Sequence, residues 1–214
     1  MTLNMRPEEI EAESFRIIEA EVDSHHWPPA EWQVVRRAIH ASADFDYVSS
    51  MVFSPGAVAS GVAAIRRGRG LVTDTAMALA GIAGSRLDRL GIAAACFVAD
   101  SGVMRDAKAE GTTRAIQAMR KGTADPNNGI FVIGNAPTAL FELLRLVKEE
   151  GVRPDLVIGL PVGFVGAAES KERLIGEAAG LNLPFISNLG RKGGSNVAAA
   201  VVNALLILAE DSNK

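Results

Sequence analysis

The sequence has a single cysteine, Cys96, among 214 residues. It can close no intrachain disulfide, and it offers no cysteine cluster with the spacing of zinc ligands. Aromatic residues are scarce, 5% against 48% hydrophobic residues overall. The apolar mass is therefore Ala, Val, Ile and Leu, which suits helices packed on a buried parallel sheet. Basic excess is missing too: 22 Lys plus Arg face 25 Asp plus Glu, for a net charge of −3. A chain that tracks phosphates needs a basic stripe, so nucleic acid is excluded as the main partner. No apolar run nears the roughly 20 residues of a membrane helix; the best, Val197 to Ala209, is interrupted by Asn203. Near the N-terminus, Pro7-Glu-Glu turns acidic where a signal peptide would become apolar. The expectation is a soluble protein of the reducing cytoplasm, without a membrane partner.

What is present is alternation. Two helices come first, one opened by Pro7 and running to about Val22, the other from Pro29 to Ala43 with Trp32, Val35 and Ile39 at helical spacing. Short apolar strands then alternate with helices. The strands are expected at Tyr47–Phe53, Leu71–Thr73, Ala93–Val98, Ile130–Ile133, Leu156–Leu160 and Phe185–Ser187. Helices are expected to start near Pro55, Thr75, Met104, Ala136, Ala167 and Ser195. This predicts an α/β fold, a single domain over residues 1–214 with a mostly parallel β-sheet flanked by helices on both faces. The polar stretch Lys121–Asn128 reads as a surface loop rather than a domain joint.

In such sheets ligands bind beyond the carboxyl ends of the strands. Three loops there are rich in small polar groups: Gly134-Asn-Ala-Pro-Thr138, Pro161 to Lys171, and Asn188-Leu-Gly-Arg-Lys-Gly-Gly-Ser-Asn196. Glycines let backbone N–H groups approach a ligand, and a helix N-terminus favours an anion. None of the loops has a nucleotide fingerprint: Gly190–Ser195 lacks Walker spacing, and Gly68-Arg-Gly70 lacks the third glycine of a dinucleotide motif. A nucleotide- or sugar-phosphate-binding enzyme is the reading that such a fingerprint would have favoured.

Among titratable residues His40 stands out, because histidine changes charge near neutral pH. On a regular helix Arg36 and Asp44 lie one turn to either side of it. Two readings stand, a catalytic histidine and a solvated helix face with a His–Asp contact. His25-His26 is not spaced like a metal site and reads as a helix C-terminus. Cys96 reads as an inert core residue, and Ser101 and Ser195 lack a nucleophile elbow. Glu169, Lys171 and Glu172 read as ordinary charges on the first turn of a surface helix. Ser14 is either a substrate donor or a serine bonded back to its own turn.

In combination these segments carry a resemblance. Ser14-Phe-Arg-Ile-Ile-Glu19, Arg37-Ala-Ile-His-Ala-Ser-Ala-Asp-Phe-Asp-Tyr47, Phe53-Ser-Pro-Gly-Ala57 and Thr73-Asp-Thr-Ala-Met77 occur in that order. Ala80-Gly-Ile82, Gly134-Asn-Ala-Pro-Thr-Ala-Leu140, the long block Pro154–Lys171 and Gly190-Arg-Lys-Gly-Gly-Ser195 follow. The chain resembles the precorrin-8X methylmutase family, with its cobalt-precorrin-8 relatives, over roughly residues 10 to 208.

The resemblance implies an isomerase of cobalamin biosynthesis that moves a methyl group from C-11 to C-12 of a tetrapyrrole, without an external methyl donor. It implies no cofactor and no protein-held metal, a homodimer, and a substrate rich in carboxylates. It places the catalytic histidine at His40 and substrate-holding positions at Ser14 and Arg37. The loop chemistry, rather than the resemblance, adds Lys192 and Ser195 as partners of substrate carboxylates. Two alternatives remain open: the same reaction on a cobalt-bearing substrate, and a tetrapyrrole carrier without catalysis.

Overall fold

Pairing of the strands by sequence distance shows how the chain is wound. In the computed structural model, which describes residues 6–211, α1 (Pro7–Val22), α2 (Pro29–Ser42) and the short α3 (Tyr47–Ser50) precede β1 (Met51–Phe53). Next come α4 (Ala57–Arg66), β2 (Gly70–Thr73), α5 (Ala76–Gly81), α6 (Gly84–Leu90) and β3 (Ala94–Cys96). Then follow α7 (Ser101–Glu110), α8 (Arg114–Ala124), β4 (Asn128–Ile133), α9 (Pro137–Glu149) and β5 (Leu156–Gly159). The last elements are α10 (Ala167–Leu181), β6 (Phe185–Asn188) and α11 (Ser195–Asp211). The sheet order is β1-β6-β5-β4-β2-β3. Every neighbouring pair is parallel except β1 with β6.

Strand residues alternate between the two faces, and the register aligns them into rows. Val72, Phe131, Val157 and Phe185 are successive partners across four strands, and they pack with α7, α8, α9 and α10. The adjacent row, Val132, Ile158 and Ile186, faces the other way, into a core with α2, α4 and α11. Both faces of the sheet are thus covered, as the near-continuous apolar strands require. Full burial of each such side chain is worth about 1.5–3 kcal/mol.

The structure departs from expectation in local places. Tyr47–Ser50 is helical, leaving β1 only three residues. Asp44 accepts the Asp46 N–H at 3.0 Å, and the Asp46 carbonyl accepts from Ser49 and Ser50, so this turn captures a segment whose composition suits a strand. Residues 114–124 form α8, which takes up Lys121–Ala124 of the expected surface loop; Thr113 caps it by accepting the Ile116 N–H at 3.2 Å. Gly122 allows that helix to lie against the sheet, because a Cβ there would meet Val72 at 2.9 Å. The pair His25-His26 lies beyond the end of α1, exposed, with His25 stacked on Trp32 and His26 beside Trp27. Cys96, at the end of edge strand β3, is half-buried rather than in the core. No helix of the described residues is long and apolar enough to cross a membrane.

Candidate active site

The parallel strands bring the loops after β2, β4, β5 and β6 to one end of the sheet. Antiparallel β1 begins at that same end, with Met51 opposite Asn188. The turn between α2 and β1, and with it the C-terminal end of α2, therefore stands beside the loop from β6 to α11.

Helix α2 starts at Pro29, where a missing N–H costs nothing, and buries Trp32, Val34, Val35, Ala38 and Ile39. Ala43, in the left-handed conformation at φ 53°, ends it. His40 sits in the last turn, exposed, where partial positive charge is favourable. Its ring meets Phe15 of α1 edge-on, with centroids 5.1 Å apart and planes at 79°. Arg36 and Arg37 also lie over Phe15, at 4.3 and 5.1 Å from its centroid. Arg37 donates to Glu11 at 2.8 Å, while Arg36 and Trp32 both donate to Glu19. These contacts clamp α1 along α2. Ser14, next to Phe15, donates to the Ile10 carbonyl at 2.8 Å, the back-bonded state.

Neither expected helix-face neighbour engages His40. Arg36 turns to Glu19, and Asp44 falls beyond the end of the helix. Asp44 instead accepts from Lys192 at 2.6 Å, as does Asp46 at 2.5 Å. The Lys192 ammonium holds the Asp44 carboxyl below the usual carboxylate range. The two carboxylates in turn raise the ammonium above its ordinary value. Asn196, at the start of α11, donates to the Ala41 carbonyl at 3.1 Å. The β6–α11 loop, through Lys192, and the first turn of α11, through Asn196, are thus tied to the chain that immediately follows His40.

Deeper in, Ser195 is buried and its hydroxyl shares a 2.8 Å hydrogen bond with that of Thr75. Gly134 approaches it so closely that a Cβ would meet the Ser195 Cα at 2.7 Å. Asp74, at the end of β2, is buried and accepts the N–H groups of Gly134, Asn135 and Ala136 at 3.0, 2.8 and 2.7 Å. Those donors would otherwise be orphaned before α9. Burial pushes the Asp74 carboxyl above its usual value, and the three N–H groups oppose that shift. The β5–α10 loop holds the most exposed apolar side chains of this end, Phe164 and Val165, with Arg191 stacked over Phe164 at 5.7 Å.

The sequence-selected residues therefore fall into two linked groups. Arg37 and His40 meet Phe15, which follows Ser14 in α1, and Lys192 and Ser195 lie on the loop and helix start stitched to residues 41–46. Lys171 corrects a sequence expectation. It is fully buried, not a surface charge, and its ammonium donates to Asn188 Oδ1 at 3.0 Å and to the Lys192 carbonyl at 2.6 Å. The signal was present in the spacing: Ala167, Leu174 and Ala178 form the buried stripe of α10, and Lys171 lies within it. Phe15, Asp74 and Asn196 carried no separate signal beyond their motifs.

The family model described as precorrin-8X methylmutase matches residues 9–208. The chain belongs to the precorrin-8X methylmutase family. Among its relatives is a cobalt-precorrin-8 methylmutase of Priestia megaterium, 49% identical over 97% of this chain and 91% of that protein. A precorrin-8X methylmutase of Pseudomonas aeruginosa is 40% identical over 90% of this chain and 91% of that one. A crystal structure of precorrin-8X methyl mutase from Thermus thermophilus superposes with a TM-score of 0.86 at 38% identity. It covers 96% of this chain and 99% of the other. Membership of this methylmutase family makes the chain an isomerase of cobalamin biosynthesis.

Proposed function

We propose that this chain moves a methyl group from C-11 to C-12 of precorrin-8X, yielding hydrogenobyrinate, with His40 as proton donor and acceptor. In the step the bond from the methyl carbon to C-11 breaks and one to C-12 forms. His40 lends a proton to a ring nitrogen beside the migrating group and recovers it afterwards, so no atom is gained or lost. The observation that carries the reading is the exposed imidazole, edge-on to Phe15 and set three residues from Arg37 on one helix. One helix face then presents both a proton shuttle and a carboxylate partner.

Ser14, Arg37, Lys192 and Ser195 complete the substrate set in this proposal. Arg37 and Lys192 each use part of their donor capacity on Glu11, Asp44 and Asp46, and a guanidinium has five N–H donors and an ammonium three. The remaining donors suit carboxylates of the macrocycle. We also read residues 1–214 as one methylmutase-like domain acting as a cytoplasmic homodimer. The exposed Phe164 and Val165 favour a surface that becomes covered.

A second reading, the same shift on the cobalt-bearing substrate, is favoured by the name of the Priestia megaterium relative. Mixing the purified protein with each substrate form and following the visible spectrum decides between them by rate. An unchanged spectrum with both, despite tight binding, would identify a carrier instead.

A further inference from the structure

Lys171 is an unexpected residue to find fully buried, because removing an ammonium from water is costly and an apolar side chain fits the stripe it occupies. Its two partners, the Asn188 side-chain oxygen and the Lys192 carbonyl, are both uncharged. Burial accordingly lowers its pKa, to about 8. Asn188 ends β6 and Lys192 lies in the loop between β6 and α11, so the lysine ties that loop to the end of the strand. Asn188 reinforces the grip, its Nδ2 donating to the same Lys192 carbonyl at 2.9 Å and to the Leu189 carbonyl at 3.1 Å.

Gly190, Gly193 and Gly194 take positive φ values of 74°, 154° and 135°, which glycine adopts without steric cost, so hydrogen bonds set the path of this loop. Besides the Lys171 contacts, the Leu160 carbonyl accepts the Gly194 N–H at 2.9 Å and the Arg191 carbonyl accepts the Gly163 N–H at 3.2 Å. What fixes the Lys192 backbone also fixes where its side chain starts. That side chain ends on Asp44 and Asp46, at 2.6 and 2.5 Å, within the turn that follows the His40 helix.

We propose that Lys171 is a positioning residue: its buried ammonium fixes the Lys192 carbonyl, so that the Lys192 side chain anchors Asp44, Asp46 and the His40 end of α2. The role rests on the catalytic reading of His40. Lys171 itself touches no substrate. It acts through two successive links, one buried and one at the surface, and loss of either displaces His40 from the reacting ring. A displacement of about 1 Å is enough to cost up to roughly a hundredfold in rate.

The test uses the full chain and compares Lys171→Met, the double variant Asp44→Asn/Asp46→Asn, their combination, and His40→Ala. For each, turnover and KM are measured by the visible spectrum, product binding by titration, and folding by circular dichroism. Lys171→Met is expected to lower kcat about tenfold or more, with a smaller loss of product affinity because Lys192 also serves the substrate. Asp44→Asn/Asp46→Asn lowers kcat in the same direction, and in the combined variant the losses do not multiply, because both act through one chain of contacts. A folded Lys171→Met protein with wild-type kcat overturns the role, and so do losses that multiply independently. If Lys171→Met fails to fold, the aspartate variant decides alone: reduced kcat supports the chain of contacts, and unchanged kcat overturns it. Full turnover in His40→Ala removes the catalytic reading and this role together, whereas an inactive His40→Ala beside a fully active Lys171→Met removes only the role of Lys171.

Discussion

His40 and Arg37 were legible in the sequence because a regular helix fixes their mutual placing, and α2 is regular as far as Ser42. Asp44 was not, because the left-handed Ala43 stops the helix before it and sends its carboxylate to Lys192. Lys171 shows a different limit: a charged letter reads as surface even where the apolar period says otherwise. Its burial has a measurable consequence. The folded value, about 8, lies below the ordinary 10.5. Between these values the unfolded chain holds a proton that the folded one lacks, so stability rises with pH across that window. Below pH 8 both states are protonated and the cost of the buried charge is fully present. Urea unfolding at pH 7, 8.5 and about 10 should show the wild type gaining stability relative to Lys171→Met as pH rises; a constant difference contradicts the assignment. Lys192→Ala should weaken tetrapyrrole binding and also slow turnover, since it removes both a substrate partner and the tie to Asp44 and Asp46. Unchanged binding in a titration would exclude Lys192 from the substrate set.

At the scale of elements, strands β2, β4, β5 and β6 were readable from short apolar runs bounded by Gly, Pro or Asn, with ends shifted by no more than two residues. Helix α8 was hidden because its few buried residues, Gln117, Ala118, Met119 and Gly122, leave a polar sequence around them. Only the cap at Thr113 announces it. The turn into α9 depends on a distant residue, since Asp74 supplies the acceptor for the three N–H groups that precede the helix. Asp74→Ala leaves those three donors unpaired and should cost about 2 kcal/mol or more in urea unfolding. Asp74→Asn keeps one acceptor oxygen and should lose less. Equal stability of Asp74→Ala and the wild type would show that water serves those donors equally well.

At the scale of the molecule, the net charge of −3 hides how the positive groups are placed. The turn after the helix of Arg37 and His40 meets Lys192 because β1 runs against β6 and returns that turn to the carboxyl ends of the parallel strands. The alternation of strand and helix predicted the layers; the reversal of β1 was not legible, since a three-residue strand carries no mark of direction. Sedimentation equilibrium should give twice the 22.5 kDa chain mass for the proposed homodimer, and a monomer at all concentrations would contradict it.

In the proposed mechanism a proton held by His40 drives the methyl shift on a substrate bound independently of it. The most direct measurement is single-turnover conversion of precorrin-8X by His40→Ala, with binding of the tetrapyrrole titrated on the same preparation. Near-normal binding is expected, with conversion slowed by about 10²- to 10⁴-fold. Conversion at the wild-type rate by the folded variant would contradict that mechanism.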